Sequence, residues 1–399
     1  MTSISETRLR RLLSQPFNIE LFRNKVGMGL YIENGFRITS LSSNASRRDT
    51  ENSISRFNNA LRLRGDKAIA KSACRLGYCD YGHLVDPKAN AKELTHPARR
   101  LVNEIFWLYL PQEIVTSLQT EESLANPAAR DIIKNAVQSN GDISKVLVNH
   151  AMAIMYHTAA ISNEVDFLLG RAKPDDRLWQ QAYQFWKLVF SDDAFWGHIE
   201  HRIATLDDFR LKSKDIAELK DKIPRIVLSF NSVFGKYYAK SGEKNQLKRH
   251  LGFINQSGFE KKKCLDVLEG VSRDSLGDEL RPLLARVREI VDTDQGDDGC
   301  IPLGTLRENL DGVLKHTDEI LSFWKKIGFS DDMLISSVLN DMTASVITAT
   351  NKKLDYNGDE SCQSLLYGMI VYEKMLVLPL ASAVRLKLEQ EIRKNRGYL

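Results

Sequence analysis

Four histidines have the spacing that comes closest to that of a metal-binding or catalytic site. His198 and His201 stand three positions apart with Glu200 between them, so on a helix these side chains would be neighbours. A His-Glu-x-x-His zinc site needs histidines four apart with the glutamate directly after the first, and this order differs. His150 and His157 stand seven positions apart on one apolar face. We expect the first pair on a helix surface and the second in the core, hydrogen-bonded to a neighbouring helix.

Other enzymatic patterns are weaker still. Cys74, Cys79 and His83 depart from the common zinc-clasp spacing, and no fourth ligand follows nearby. The 355–359 stretch begins like a calcium loop, but Leu366 stands where the bidentate glutamate belongs. No Gly-x-Gly-x-x-Gly or Gly-x4-Gly-Lys-Ser/Thr pattern occurs. We therefore predict no catalytic residue, no metal and no cofactor, and keep an enzyme with an unrecognised site as a third possibility.

A group of arginines is the better candidate for a binding surface. The formal net charge is +4, but residues 1–110 carry +8 and the rest of the chain −4. On a helix from about Asp49 to Leu63, several arginines share a solvent face while Ile54 and Phe57 turn inward. This asymmetry directs the N-terminal region toward an acidic partner. The predicted partner-binding residues are Arg47, Arg48, Arg56, Arg62 and Arg64.

A second basic region interleaves aromatic and positive residues, as a stacking platform for single-stranded nucleic acid would. It supports an alternative function, a nucleic-acid-binding subunit of a larger assembly. Its residues are Lys236, Tyr237, Tyr238, Lys240, Lys244, Lys248 and Arg249.

Helices must position both groups, because apolar residues recur with a 3.6-residue period over most of the chain after residue 110. One helix is predicted from Asp142 to Leu169, ending at Gly170. The next begins at Asp175–Asp176, where aspartates can cap it. We predict that its aromatic residues line one buried face between helices: Trp179, Tyr183, Trp186 and Phe190.

Breaks in this pattern define the predicted domains. Pro224 is expected to separate or bend a long helix, Pro379 to break the last one, and the polar 292–302 stretch to form a boundary. No repeat of constant length is evident, so the class predicted is all-α, with an irregular, solenoid-like stack of α-hairpins. The predicted segments are an N-terminal extension (1–33), a helical module (34–110), a helical-hairpin body (111–291) and a C-terminal subdomain (303–399).

The helical module combines the 34–38 segment, Leu41, a small-residue turn with Arg47 at 45–49, and a late helix at 93–100. In this order these features resemble a J domain, the co-chaperone module of Hsp70 systems. The family's His-Pro-Asp loop is missing, because the 61–66 segment stands in its place. The resemblance thus implies a degenerate J-like module that does not stimulate an Hsp70 ATPase.

The chain also resembles bacterial proteins that join such a module to a helical-repeat body. This resemblance rests on residues 100–107, residues 149–157 and the spacing of Trp179, Trp186 and Trp196. The resemblance implies a non-catalytic adaptor, similar to a co-chaperone, that docks on a protein with an acidic surface; an Hsp70-like protein is one candidate. The alternative remains a nucleic-acid-binding subunit of a multi-protein bacterial assembly.

Cellular location is predicted from three observations. The N-terminus has no apolar core before its arginines, and the most apolar run, 365–383, is interrupted by charges and a proline. Five cysteines spread over almost 300 positions fit reduced thiols better than a disulfide framework. We expect a cytoplasmic protein with no membrane association.

Overall fold

The computed structural model describes residues 4–65, 67–69, 73–76, 86–118, 126–139, 145–206, 208, 211–212, 214–292, 303–326, 339–340, 343–344, 346–348, 350, 362–378 and 380–398. This part of the chain is built of helices and one two-stranded sheet. The predicted all-α class is confirmed. Cys79, His83 and the 355–359 stretch lie outside the described residues.

The chain divides into two compact units. Residues up to 234 together with 252–267 form the first, and 235–251 together with 268–399 form the second. The first unit contains α1 (Glu6–Leu13), β1 (Pro16–Leu21), β2 (Asn24–Gly27), α2 (Gly35–Thr39), α3 (Arg47–Arg64), α4 (Pro87–Lys92), α5 (Pro97–Ile105), α6 (Gln112–Leu118), α7 (Pro127–Ser139), α8 (Lys145–Leu168), α9 (Asp176–Phe190) and α10 (Asp193–Leu206). Residues of both units belong to α11 (Asp215–Lys240), α12 (Lys244–Gln256) and α13 (Lys261–Asp292), and the second unit also contains α14 (Leu303–Lys326), α15 (Cys362–Met375) and α16 (Ser382–Tyr398).

These units do not follow the predicted divisions. The predicted N-terminal extension contributes to the core of the first unit: the Ile4 backbone N–H donates to the Leu168 carbonyl at 3.0 Å, and Phe17 packs edge-on against Phe230 at 5.0 Å. Composition marks where a chain becomes polar, whereas a compact unit is defined by which apolar surfaces pack together. Boundaries read from composition therefore miss contacts between segments distant in sequence.

The hairpin of β1 and β2 has no counterpart in the sequence prediction. The strands pair antiparallel, with Glu20 opposite Lys25 and Leu21 opposite Asn24. Phe22 and Arg23 form the turn with φ of +50° and +63°. Two positive φ values match the twist of a tight hairpin, but glycine or asparagine usually supplies them. Without those residues the sequence carries no recognisable turn signal.

Helices α8 and α9 pack along each other as predicted. α8 ends before Gly170, whose φ of +73° suits a glycine beyond a helix end. Asp175 caps α9 by accepting a hydrogen bond from the Arg177 backbone N–H at 3.1 Å. The predicted helix pair is therefore confirmed in this part of the chain.

The prolines behave in two ways. Pro224 lies inside the continuous helix α11, so a separation into two helices is wrong, whereas the alternative, a bend at Pro224, stays a prediction. Ile223, Ile226 and Val227 around it are fully buried, and this packing holds the helix together although one backbone hydrogen bond is lost. Pro379 and residues 293–302 of the predicted boundary lie outside the described residues, but α15 ends at Met375 and α16 begins at Ser382, so the last helical stretch is divided as predicted.

In the second unit, exposed ion pairs accompany the packing of its last helices. Lys374 of α15 pairs with Asp311 of α14, and Arg396 of α16 donates to Glu373 at 3.0 Å. Such exposed pairs contribute at most about 1 kcal/mol each, so buried residues such as Tyr372 and Leu388 hold this unit together.

Candidate docking face on helix α3

Local sequence explains why α3 begins and ends where it does. Ser46 caps it by accepting a hydrogen bond from the Asp49 backbone N–H at 3.1 Å. Gly65, with φ of +54°, terminates it, and Arg62 and Arg64 in the last turn complement the helix dipole. Ile54 is buried on its inner side. The sequence thus fixes both the helix and the side that it buries.

The five predicted arginines all lie on α3, and all are exposed. Steps of 100° per residue place Arg48, Arg56 and Arg62 within about a third of the helix circumference, on the side away from Ile54. We call these three residues the α3 arginine face. The same steps place Arg47 within about 20° of Ile54 and Arg64 within about 20° of Phe57, so both lie off the α3 arginine face. They are exposed because they stand at the two ends of the helix, where Arg47 donates to Glu51 at 3.0 Å.

The charge on this face is concentrated. No acidic residue occurs between Asn52 and Arg64, and the only acidic residues in α3 are Asp49 and Glu51. The second half of the helix therefore carries only positive charge. A cluster of like charges on one helix face creates a local positive potential that attracts an acidic surface.

Beneath α3 lies a buried network of charged side chains, centred on Glu104 of α5. Its Oε1 accepts hydrogen bonds from Arg100 Nε and Arg202 Nη2, both at 2.8 Å, and its Oε2 accepts one from Arg202 Nε at 2.9 Å. Glu104 is fully buried and the side chain of Arg100 nearly so. The hydrogen bond to Glu104 raises the pKa of Arg202. Two guanidinium groups and one carboxylate thus share a single site between α5 and α10.

Arg100 connects this network to the start of α3. Its Nη1 donates to Thr50 Oγ1 of α3 at 3.0 Å, and its Nη2 donates to the Ala45 carbonyl at 2.6 Å. Its guanidinium also lies over the ring of Phe36, 5.7 Å from the centroid. Arginine can make all these contacts at once because its donors point in several fixed directions. These contacts fix the start of α3, the helix that carries the α3 arginine face.

The loop before α3 is fixed from a second side. Gln112 Oε1 accepts from the Ser42 backbone N–H at 2.8 Å, and its Nε2 donates to the Ser40 carbonyl at 2.9 Å. Ser42 and Ser43 donate their hydroxyls to the carbonyls of Leu110 and Leu108. The serines that make this segment look flexible in sequence are thus used to anchor it.

A groove of about 580 Å³, lined by both polar and apolar residues and by the carboxylate of Asp49, separates this loop from α3. Asn52, Ser53 and Arg56 line its helix side, and Asn44 and Gln112 line the other. Its volume falls in the range typical of binding pockets. The groove can accept polar side chains of a bound segment beside the α3 arginine face.

The burial predicted for the apolar residues of the 36–107 segment is found at most of the named positions. Phe36, Ile54, Leu101 and Phe106 are buried, and Phe36 lies in α2 rather than in a strand. Leu41, which was expected among them, is half-buried.

Two of the histidines lie in the aromatic core of the first unit. His157 Nδ1 bonds to the Tyr31 hydroxyl at 2.9 Å, and His150 Nε2 bonds to the Ile105 carbonyl at 2.8 Å. Burial lowers the pKa of each to about 3. His198 is half-buried against the ring of Tyr109, and His201 is exposed. The prediction that His150 and His157 are core residues is confirmed, and the partner of His150, Ile105, lies in a neighbouring helix as predicted. The partner of His157, Tyr31, lies outside the helices, so that part of the prediction is wrong.

The tryptophans are core residues, as predicted. Trp179 and Trp186 are fully buried, and Trp186 stacks on Phe190 with ring centroids 5.0 Å apart. Trp196 is 5% exposed, and its indole N–H donates to the Phe190 carbonyl at 2.9 Å.

The second basic region is less suited to stacking than its sequence indicates. Tyr238 is fully buried and stacks on His250, with ring centroids 5.3 Å apart, so it cannot offer its ring to a base. Tyr237 is half-buried with its ring edge-on to Tyr238. The periodicity explains this placement, because residue 238 falls on the inner side of α11. The exposed residues of this region are Lys240, Lys244 and Lys248, while Lys236 and Arg249 are half-buried.

The sequence did not reveal Glu104 and Arg202 as a structural pair. Arg100 and Glu104 stand one helical turn apart within an apolar stretch, which is a signal for a buried ion pair. Arg202 follows 98 residues later, and no local pattern links it to that pair.

Comparison with known proteins adds no relative: no family model matches the chain, and no match was found among curated proteins or solved structures. Within the described residues, no group of side chains is arranged to hold a metal ion. None of the helices described combines the length and the apolar character needed to cross a membrane.

Proposed function

We propose that this protein is a non-catalytic adaptor, which uses the α3 arginine face to dock on an acidic surface of a protein partner. The observation that carries the proposal is the exposure of Arg48, Arg56 and Arg62 on one side of a helix whose other side is anchored by a buried charge network. Because α3 is already ordered, an interface can form on it without the entropic cost of ordering a segment.

Electrostatic attraction suits such a role. Exposed positive charges raise the rate of encounter with an acidic partner and orient it, although each contact alone is weak. The groove between α3 and the loop at Ser42 gives room for polar groups of the partner next to Arg56. The resemblance to a J domain makes an Hsp70-like chaperone the first partner to test. Lacking His-Pro-Asp, the protein is expected to bind such a chaperone without stimulating its ATPase.

The test reverses the face and compares it with a matched control. Arg48, Arg56 and Arg62 are replaced together by glutamate, and in a second variant Lys212, Lys261 and Lys262, which are equally exposed, are replaced by glutamate. Both variants change the net charge by the same amount. Proteins cross-linked to each form in cells of the host are then identified, with and without nuclease treatment.

We expect one or more acidic proteins to be cross-linked by the wild type and the lysine variant but not by the arginine variant, and to survive nuclease. Equal loss in both variants would mean that only net charge matters. Loss of the cross-linked proteins after nuclease treatment would favour the nucleic-acid alternative instead.

A further inference from the structure

A second cleft in the first unit contains an unusual carboxylate. The cleft has a volume of about 240 Å³ and lies between the β-hairpin, the start of α2 and the segment from α4 to α5. At about 30 Å³ per molecule, this is room for roughly eight waters or one small organic ion. Glu33 projects from the loop before α2 and is half-buried at this cleft.

None of the described residues supplies a cation that balances the charge of Glu33. Within the described residues its carboxylate has no hydrogen-bond donor and no basic partner. Burial first, and then the charge of Glu93, raise the pKa of Glu33. Glu93 is itself paired with Arg99, whose Nη1 donates to it at 3.0 Å. Lys25, the charged residue that β2 contributes to the lining, is exposed and makes no ion pair in this part of the chain.

The surrounding backbone holds the carboxylate in place. A Cβ at Gly29 would lie 2.6 Å from Glu33 Oε2, and one at Gly27 would lie 2.5 Å from the Gln15 carbonyl oxygen. Glycine at both positions therefore allows the backbone and the carboxylate to approach closely.

Asparagines make the wall behind it rigid and polar. The Asn34 Nδ2 donates to the Asn103 carbonyl at 2.8 Å, and Asn103 Oδ1 accepts from the Gly35 backbone N–H at 2.7 Å. At the same cleft the amide nitrogen of Asn90 is shielded from solvent and has no partner in the described part. On this preorganised wall, the described residues thus leave one acceptor, the Glu33 carboxylate, and one donor, the Asn90 amide nitrogen, without a partner, and the carboxylate is the group that can bind a cation.

We propose that this cleft binds a small organic ammonium ion, with Glu33 as its charged partner. A partly buried carboxylate is stabilised when a cation takes the place of lost water, and an ammonium group supplies three donors for that purpose. The cleft is too small for a folded partner, and Glu93 is already paired. The inference is independent of the proposed docking function, since it uses none of the α3 arginines.

The probe is n-butylammonium chloride, with n-butanol as an uncharged ligand of the same shape. Selective ¹⁵N-glycine labelling of the full chain reports on the cleft through Gly27, Gly29 and Gly35, while Gly197 and Gly252 serve as distant reporters. We expect saturable shifts confined to the cleft glycines with butylammonium and none with butanol. Binding should weaken as pH falls, because Glu33 then becomes protonated.

Two variants make the test specific. Glu33→Gln keeps the size of the side chain, and we expect at least tenfold weaker binding, whereas Glu20→Gln removes an exposed carboxylate of β1 and should have no effect. Lys25→Gln should strengthen binding by removing a repelling charge. Equal affinity of the wild type and Glu33→Gln, or shifts spread equally over the distant glycines, would overturn the proposal, as would the absence of any binding.

Discussion

Two glutamates of the first unit, Glu104 and Glu33, differ in how their burial is balanced. Glu104 is fully buried and accepts three hydrogen bonds from two arginines, so its charge is satisfied within the protein. Glu33 is only half-buried, yet it faces Glu93, and no described residue supplies it with a cation. A paired buried charge supports the structure, whereas an unpaired one at a cleft indicates a site for a ligand.

The largest effect is expected from breaking the paired charge. Glu104→Gln leaves the guanidinium groups of Arg100 and Arg202 without their carboxylate, so the free energy of unfolding should fall by about 3 to 5 kcal/mol. Urea denaturation measures this change. As a control, Glu51→Gln removes the exposed partner of Arg47 and should cost less than about 1 kcal/mol. Equal effects of the two substitutions would show that the buried network does not support the fold.

The pH dependence of the free energy of unfolding reports on buried groups that stay neutral in the folded protein. His150 and His157 have folded pKa values of about 3, below the usual value, so below about pH 6.5 the unfolded chain binds protons that the native state does not. Stability is therefore lost as pH falls from 6.5 toward 3, by about 1.4 kcal/mol per histidine for each pH unit.

Denaturation between pH 7 and 5 measures this slope. The double substitution of His150→Asn and His157→Asn should remove most of the pH dependence that these two histidines cause. This holds whatever the substitutions do to the free energy of unfolding at pH 7. An unchanged slope would mean that both imidazoles are protonated in the folded protein.

A smaller effect of opposite sign is expected at Glu33. Its folded pKa is raised, so its ionised form opposes folding, and this contribution to stability decreases as pH rises through the raised value. Glu33→Gln should therefore raise the melting temperature at pH 7, with a smaller gain near pH 4. The matched substitution Glu20→Gln should leave it unchanged at both. A lower melting temperature for Glu33→Gln at pH 7 would show that the carboxylate is paired after all.

The parts predicted correctly were those with a local signal. The Asp175 cap, Gly170 and the spacing of Trp179 and Trp186 each lie within one helix or its ends, and the structure confirms what they indicate. The exposed side of α3 followed from the positions of Ile54 and Phe57 in the same way. Local pattern is sufficient when one element determines its own buried face.

The parts that were missed depend on long-range contacts or on unusual backbone. Arg202 meets Glu104 across 98 residues, and Glu33 meets Glu93 only because the loop before α2 packs near α5. Phe22 and Arg23 adopt the positive φ values that glycine or asparagine usually supplies, so the sequence gives no signal for the hairpin. Packing around Pro224 overrides the tendency of proline to end a helix.

The most direct test of the account is to measure partner affinity and stability together after charge reversal on α3. The account predicts that replacing Arg48, Arg56 and Arg62 by glutamate weakens binding of the cross-linked acidic partner at least about tenfold, while the melting temperature changes by only a few degrees. Exposed substitutions typically alter stability by about 0.5 kcal/mol or less each, and a glutamate at the start of α3 and one at its end act on the helix dipole with opposite signs. The lysine variant at 212, 261 and 262 should bind like the wild type. Unchanged affinity in the arginine variant, or equal loss in both variants, would contradict the assignment of the α3 arginine face as the docking site.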